Sequence, residues 1–150
     1  MKRPVFSRYT WPEGEIMKVL LIGGTGTISM AITRKLVKDG NEVYLLNRGN
    51  RKDELPEGVR SIIADISDEK DVATKLEGMY FDCVGEFIGF TLEQVQRDYR
   101  LFKDRTRQYI YISSASAYNK PSGSYIITEG TTLANPYCNT PETRSPATNS

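Results

Sequence analysis

The sequence predicts an α/β domain on a doubly wound parallel sheet of about five strands, in the order 3-2-1-4-5. Three observations carry that prediction. Short apolar runs alternate with segments of helical period. A glycine-rich bend joins the first apolar run to the first helical segment. The chain has 150 residues of which 39% are hydrophobic, the size of one compact domain with enough apolar material for a core.

The elements follow in order. Residues 1–16 mix Pro, Trp, Gly and charge with no period and read as an extension. Met17 opens Met-Lys-Val-Leu-Leu-Ile, a buried strand. From Thr27, Ile28, Ile32 and Leu36 recur four apart, Lys35 and Lys38 occupy the last turn, and Gly40 follows as a stop. This predicts an amphipathic helix packed on the first strand. Val43 to Leu46 forms a second buried strand, and Ser61, Ile62 and Ile63 a third. Ser67 to Gly78 reads as a helix capped by Ser67, with Asp68, Glu69 and Asp71 in its first turn. Tyr80 to Val84 is the fourth strand. Thr91 and Gln94 make a capping box for a helix whose apolar positions are Val95, Tyr99 and Phe102. Tyr109 to Ile112 is the fifth strand. Strands alternating with helices imply right-handed crossovers, a sheet covered on both faces, and a ligand at the carboxyl ends of the strands. From Gly130 onward the sequence turns to Thr, Pro, Asn and Ser without period.

Composition excludes several classes. Twenty Lys+Arg against 19 Asp+Glu leave no global field to gather nucleic acid or an anionic membrane. No apolar run approaches the roughly 20 residues that span a bilayer, and no secretory signal opens the chain, so a cytoplasmic protein is expected. With two cysteines, Cys83 and Cys138, and no histidine, the usual zinc sites and Ser-His or Cys-His nucleophile pairs are absent. No metal site is expected.

The bend itself reads Gly23-Gly-Thr-Gly26-Thr-Ile-Ser29. Glycines let backbone N–H groups approach a pyrophosphate closely, and the following helix adds the positive end of its dipole. With a strand before it, a helix after it and further βα units behind, the segment Gly23, Thr25, Gly26, Thr27 and Ile28 is assigned to the phosphates of a dinucleotide rather than to a merely tight turn. At the end of the second strand, where an acid would hold the ribose hydroxyls of NAD, the chain has Asn47-Arg48. Arginine can pair with a 2′-phosphate, so NADP is expected ahead of NAD, the alternative being that Arg48 is a solvated loop cation.

The spacing Gly23-x-x-Gly26-x-x-Ser29 resembles the glycine motif of the extended and atypical short-chain dehydrogenases, the NAD-dependent epimerase/dehydratase family, with serine in place of the last glycine. The resemblance covers roughly residues 17–137 and implies a Rossmann domain over 17–135. It places Asp65, followed by Ile66, beside the adenine, although an aspartate before Ser67 also suits turn chemistry. Tyr111-Ile-Ser113-Ser114-Ala-Ser116-Ala-Tyr118 resembles the family's active-site strand, which makes Ser114 the catalytic serine toward the substrate oxygen and puts Ser113 on the cofactor side. The family's Tyr-x-x-x-Lys, whose lysine lowers the tyrosine pKa, should follow about twenty-five residues later. Residues 139–144 read Asn-Thr-Pro-Glu-Thr-Arg instead.

Restoring one G in the Cys138 codon allows the shifted frame to encode Tyr-Trp-Gln-Tyr-Ser-Arg-Asp-Lys-Ile-Ala-Cys, which contains that motif. Within an irregular tail over 136–150, the residues from Cys138 onward are therefore read as frameshifted, and the chain as a family member truncated before the substrate lobe. The resemblance implies an oxidoreductase acting by hydride transfer on a sugar nucleotide or related hydroxyl substrate, of low activity in this form. The alternatives are a non-catalytic NAD(P)-binding relative, an RNA-associated relative such as the chloroplast stem-loop binding proteins, which Val-Tyr-Leu-Leu-Asn-Arg-Gly also resembles, and a nonfunctional remnant with an exposed sheet edge. Nucleic acid is the less expected partner given the balanced charge.

Overall fold

The structure of the protein, a computed structural model, describes residues 14–49 and 55–113. Its strands are β1 (Lys18–Ile22), β2 (Glu42–Asn47), β3 (Arg60–Ile63), β4 (Phe81–Glu86) and β5 (Thr106–Tyr111). The helices among the described residues are α1 (Thr27–Lys38), α2 (Glu69–Lys75) and α3 (Leu92–Phe102). The sheet is parallel throughout and ordered β3-β2-β1-β4-β5, as the sequence predicts. From β1 the chain winds outward to β2 and β3, then returns to β4 beside β1, so the direction of winding switches between those two strands. That is where such sheets open a crevice. The unit described here runs through Ile112, and Ser113 begins another. The predicted tail, and the extension up to residue 13, lie outside the described residues.

Successive strand residues face opposite sides of the sheet. Leu20, Ile22, Tyr44, Leu46 and Val84 pack under Val72 and Leu76 of α2 and its cap and Leu101 and Phe102 of α3. Val19, Leu21, Val43 and Leu45 pack on the other side with Leu36 and Val37 of α1 and Leu55 and Val59 of the β2–β3 connection. Burial on both faces is why β1 and β2 read as unbroken apolar runs. The edge strand β3 is largely exposed, with Ile63 at 61%.

Three local expectations are corrected. α1 does not pack through Ile28 and Ile32, which are 68% and 37% exposed; it buries Ser29, Met30 and Thr33. The Ser29 hydroxyl donates to the carbonyls of Gly23 and Gly26, and the Thr33 hydroxyl to the Ser29 carbonyl. Those satisfied, short side chains let the helix lie close, so local hydrogen bonding sets its rotation where apolar spacing suggested another. In α2 the cap is Asp68, whose carboxylate accepts the Asp71 N–H, while the Ser67 N–H is given to Asp65 in the preceding turn. In α3 the capping box of Thr91 and Gln94 forms as expected. The buried face, however, is Arg97, Asp98, Leu101 and Phe102, while Val95 and Tyr99 are exposed.

Candidate dinucleotide site

A groove of about 530 Å³ opens at the carboxyl ends of β1, β2 and β3. Gly23, Thr25 and Gly26 line it from the first bend, Leu46 to Gly49 from the end of β2, and Ala64 to Ser67 from the segment after β3. Ile88, Gln94 and Arg97 close the remaining side. Of the residues singled out in the sequence, Gly23, Thr25, Gly26, Asn47, Arg48, Asp65 and Ile66 thus come together in one place. Thr27 and Ile28 form the exposed first helical turn. Ser113 is exposed just beyond β5, and Ser114 lies outside the described residues.

The three glycines of the bend are glycine for different reasons. Gly23 has φ +74°, and a Cβ there would stand 2.3 Å from Ile88 Cγ2. At Gly24 a Cβ would stand 2.4 Å from Leu45 Cδ2 in the core. Both are required by the fold. Gly26 has an ordinary φ of −79°, and a Cβ there would meet nothing nearer than Ser29 Oγ at 3.4 Å. Neither backbone nor packing calls for glycine at that point, and a side chain would project into a groove that Gly26 lines. Gly26 is also the residue that caps α1, whose first-turn N–H groups have no acceptor within the helix. No acid occupies that turn to compete with an anion. Ser29, standing where the family motif has its last glycine, accepts the Gly26 N–H at 2.9 Å and so braces the bend. The sequence marked Ser29 only as a departure from the family's last glycine; its hydrogen bonds are an addition.

Past β2, Asn47 Oδ1 accepts the Gly49 N–H at 2.8 Å, and Asn47 Nδ2 donates to Ser61 Oγ. The amide is therefore a turn-former at the groove's rim. Arg48 beside it is exposed and lines the groove, with no acid in the segment Leu46 to Gly49. Asp65 accepts the Ser67 N–H at 2.9 Å, and that hydrogen bond, helped by Arg48 and Arg97, holds its carboxyl below the usual carboxylate range. Asp65 thus forms the turn and also lines the groove.

A buried ionic cluster behind the groove escaped the sequence reading. Glu86, at the end of β4, and Asp98 of α3 are fully buried, and Arg97 is 7% exposed. Arg97 Nε donates to Asp98 Oδ1 at 2.8 Å, and the Tyr109 hydroxyl donates to Asp98 Oδ2 at 2.8 Å. Glu86 Oε1 accepts the Ile88 N–H at 2.6 Å. Glu86 Oε2 and Arg97 Nη2 face each other at 3.8 Å, and neither makes an aligned hydrogen bond, although Nη2 also lies 2.8 Å from Asp98 Oδ1. Burial pushes the Glu86 carboxyl up to about 7. The available signal was spacing: Arg97 and Asp98 precede Leu101 and Phe102 by four residues, which sets all of them on one helical stripe.

Topology and bend together define a Rossmann-like fold, and solved structures that share it include NAD-dependent epimerases and dehydratases. The likeness expected from the glycine motif is thus met in the fold. No family model matches the sequence. The chain is 34% identical over 116 residues to the chloroplast stem-loop binding protein of 41 kDa b of Arabidopsis thaliana, covering 69% of this chain and 30% of that one. It is 32% identical over 143 residues to UDP-glucose 4-epimerase of Lactobacillus helveticus, covering 81% and 43%. UDP-glucose 4-epimerase from Bifidobacterium longum, solved with NAD+ and UDP, matches with a TM-score of 0.67 at 21% identity over 80% of this chain and 44% of that one. The chain spans less than half the length of these relatives.

Proposed function

We propose that the groove binds a nicotinamide dinucleotide and that the chain is the cofactor-binding portion of an epimerase/dehydratase-type oxidoreductase acting on a sugar nucleotide or related hydroxyl substrate. The observation that carries the reading is Gly26, a glycine that the fold leaves unexplained at the mouth of the groove. The Lactobacillus and Bifidobacterium epimerases, the second solved with NAD+ and UDP, support it. The bend from Gly23 to Ile28 holds the diphosphate, Asn47 and Arg48 meet the adenosine ribose, and Asp65 and Ile66 meet the adenine. Arg48, in the place of an acid, favours NADP over NAD. When bound, the nicotinamide supplies hydride transfer. Ser114 orients the substrate oxygen, with Ser113 toward the cofactor. Residues 139–144 supply no Tyr-x-x-x-Lys, so turnover is low. Titration with NADPH and NADH by fluorescence tests the reading. Binding tighter than millimolar, NADPH ahead of NADH, supports it; no binding of either overturns it, and NADH ahead of NADPH overturns the role of Arg48.

The 34% identity to a stem-loop binding protein favours a second reading, an RNA-associated role without catalysis. A gel shift with structured RNA separates the two: retardation that weakens steeply with salt would support RNA binding.

A further inference from the structure

We propose that Arg97 is a phosphate-binding residue of the groove and that Glu86 is its proton-linked counter-ion: a bound phosphate draws the guanidinium from Glu86, which then takes up a proton from solvent. This rests on the dinucleotide reading and deepens it. Arg97 is a cation with its side chain nine-tenths buried, yet it lines the groove. An arginine so placed has been taken out of water, and its planar fork of N–H donors can engage two oxygens of a phosphate at once.

The cluster is arranged to release it on one side only. Asp98 is fully engaged, by Arg97 Nε and by the Tyr109 hydroxyl. Glu86 is held through one oxygen by the Ile88 N–H, and its other oxygen stays unpartnered, 3.8 Å from Arg97. One cation therefore faces two buried carboxylates. Protonating Glu86 leaves Arg97 balanced by Asp98, and an arriving phosphate, being a further negative charge, favours that protonation.

Other titratable groups around the cluster are displaced away from neutrality. Burial holds Tyr109 and Tyr111 of β5 above the ordinary tyrosine range. Asp65 and Glu69, which both feel the charge of Arg97 from the far wall, are held below the ordinary carboxylate range, Asp65 first by the Ser67 N–H and Glu69 first by Arg100. Glu69 beside it raises the Arg100 guanidinium above its ordinary value. Glu86 is the member of this set moved into the neutral range.

The test is calorimetric titration of the full chain with NADP, and separately NAD, from pH 6 to 9 in buffers of different ionisation heat. Wild type is expected to bind about tenfold more weakly at pH 9 than at pH 6, with net proton uptake near neutrality. Glu86→Gln is expected to bind with no uptake and an affinity independent of pH. Arg97→Met on that background, with folding checked by circular dichroism, is expected to weaken binding; if it does not fold, the single variant still decides. Uptake with both cofactors assigns Arg97 to the diphosphate, and uptake with NADP alone to the 2′-phosphate. Pronounced binding with no proton uptake, or an unaltered pH profile in Glu86→Gln, overturns the inference while leaving the cofactor assignment standing. Absence of binding by wild type overturns the cofactor assignment and this inference together.

Discussion

The two ends of the sheet treat charge in opposite ways. At the amino ends of the strands Lys18, Glu42, Arg60 and Asp82 each find a local partner. Lys18 Nζ lies 5.1 Å from the centre of the Tyr44 ring and 5.4 Å from that of Phe81. Arg60 pairs with Glu42 and donates to the Tyr44 hydroxyl, which itself donates to Glu42 Oε1. The Asp82 carboxylate accepts the Lys18 N–H at 2.8 Å. At the carboxyl ends the molecule keeps a glycine that nothing fills and a buried carboxylate oxygen facing a buried guanidinium nitrogen without a hydrogen bond. Buried polar groups are ordinarily satisfied. The end that leaves them unmet is the end where the proposed cofactor would enter.

The comparison can be broken most forcefully at Arg97. Arg97→Met strands two buried carboxylates and is expected to lower stability by about 3–5 kcal/mol, measured by urea unfolding. A loss under about 1 kcal/mol would place the cluster in water rather than in the core.

Next comes pH. The Glu86 carboxyl titrates near 7 in the fold against an ordinary 4.5. The folded state thus holds this proton more tightly than the unfolded chain. The stability it contributes is fully present below about pH 4.5 and is lost as pH rises through about 7. The loss amounts to at most roughly 3 kcal/mol. Glu86→Gln should flatten that slope in unfolding curves taken across this window; an unchanged slope would assign it to other groups.

A pair of glycine variants separates fold from ligand. Gly26→Val should weaken dinucleotide binding roughly a hundredfold, about 2.7 kcal/mol, and shift Tm by no more than a few degrees. Gly24→Ala presses on Leu45 and should instead lower stability by about 1–3 kcal/mol. If both variants chiefly unfold the protein, Gly26 is structural after all. The smallest effect belongs to the amino end, where Arg60→Ala should leave the urea midpoint unchanged within experimental error, because its side chain is 63% exposed. A larger loss would show that the aromatic contact at Tyr44 matters more than the ion pair.

Much of this was legible beforehand, for reasons that differ from residue to residue. Met17 to Ile22 and Val43 to Leu46 announce themselves because a strand buried on both faces needs an unbroken apolar run. The Thr91–Gln94 box is a local device and reads locally. Gly23 and Gly26 with Asn47, Arg48 and Asp65 were found because each sits at the carboxyl end of a recognisable strand. The rotations of α1 and α3 were misread because the spacing of Ile28 and Ile32, and of Val95 and Tyr99, suggests a buried face that hydrogen-bonded Ser29 and Thr33, and paired Arg97 and Asp98, occupy instead.

What the sequence determined by itself is the order of strands and helices and the place of the glycine bend, since period, punctuation and glycine placement act over a few neighbouring residues. What only the tertiary structure decided is which glycine the fold does not need, and that Glu86, Arg97 and Tyr109, from three separate elements, meet around Asp98. Burial and pairing across elements depend on distances between residues far apart in the chain, and no local pattern records them.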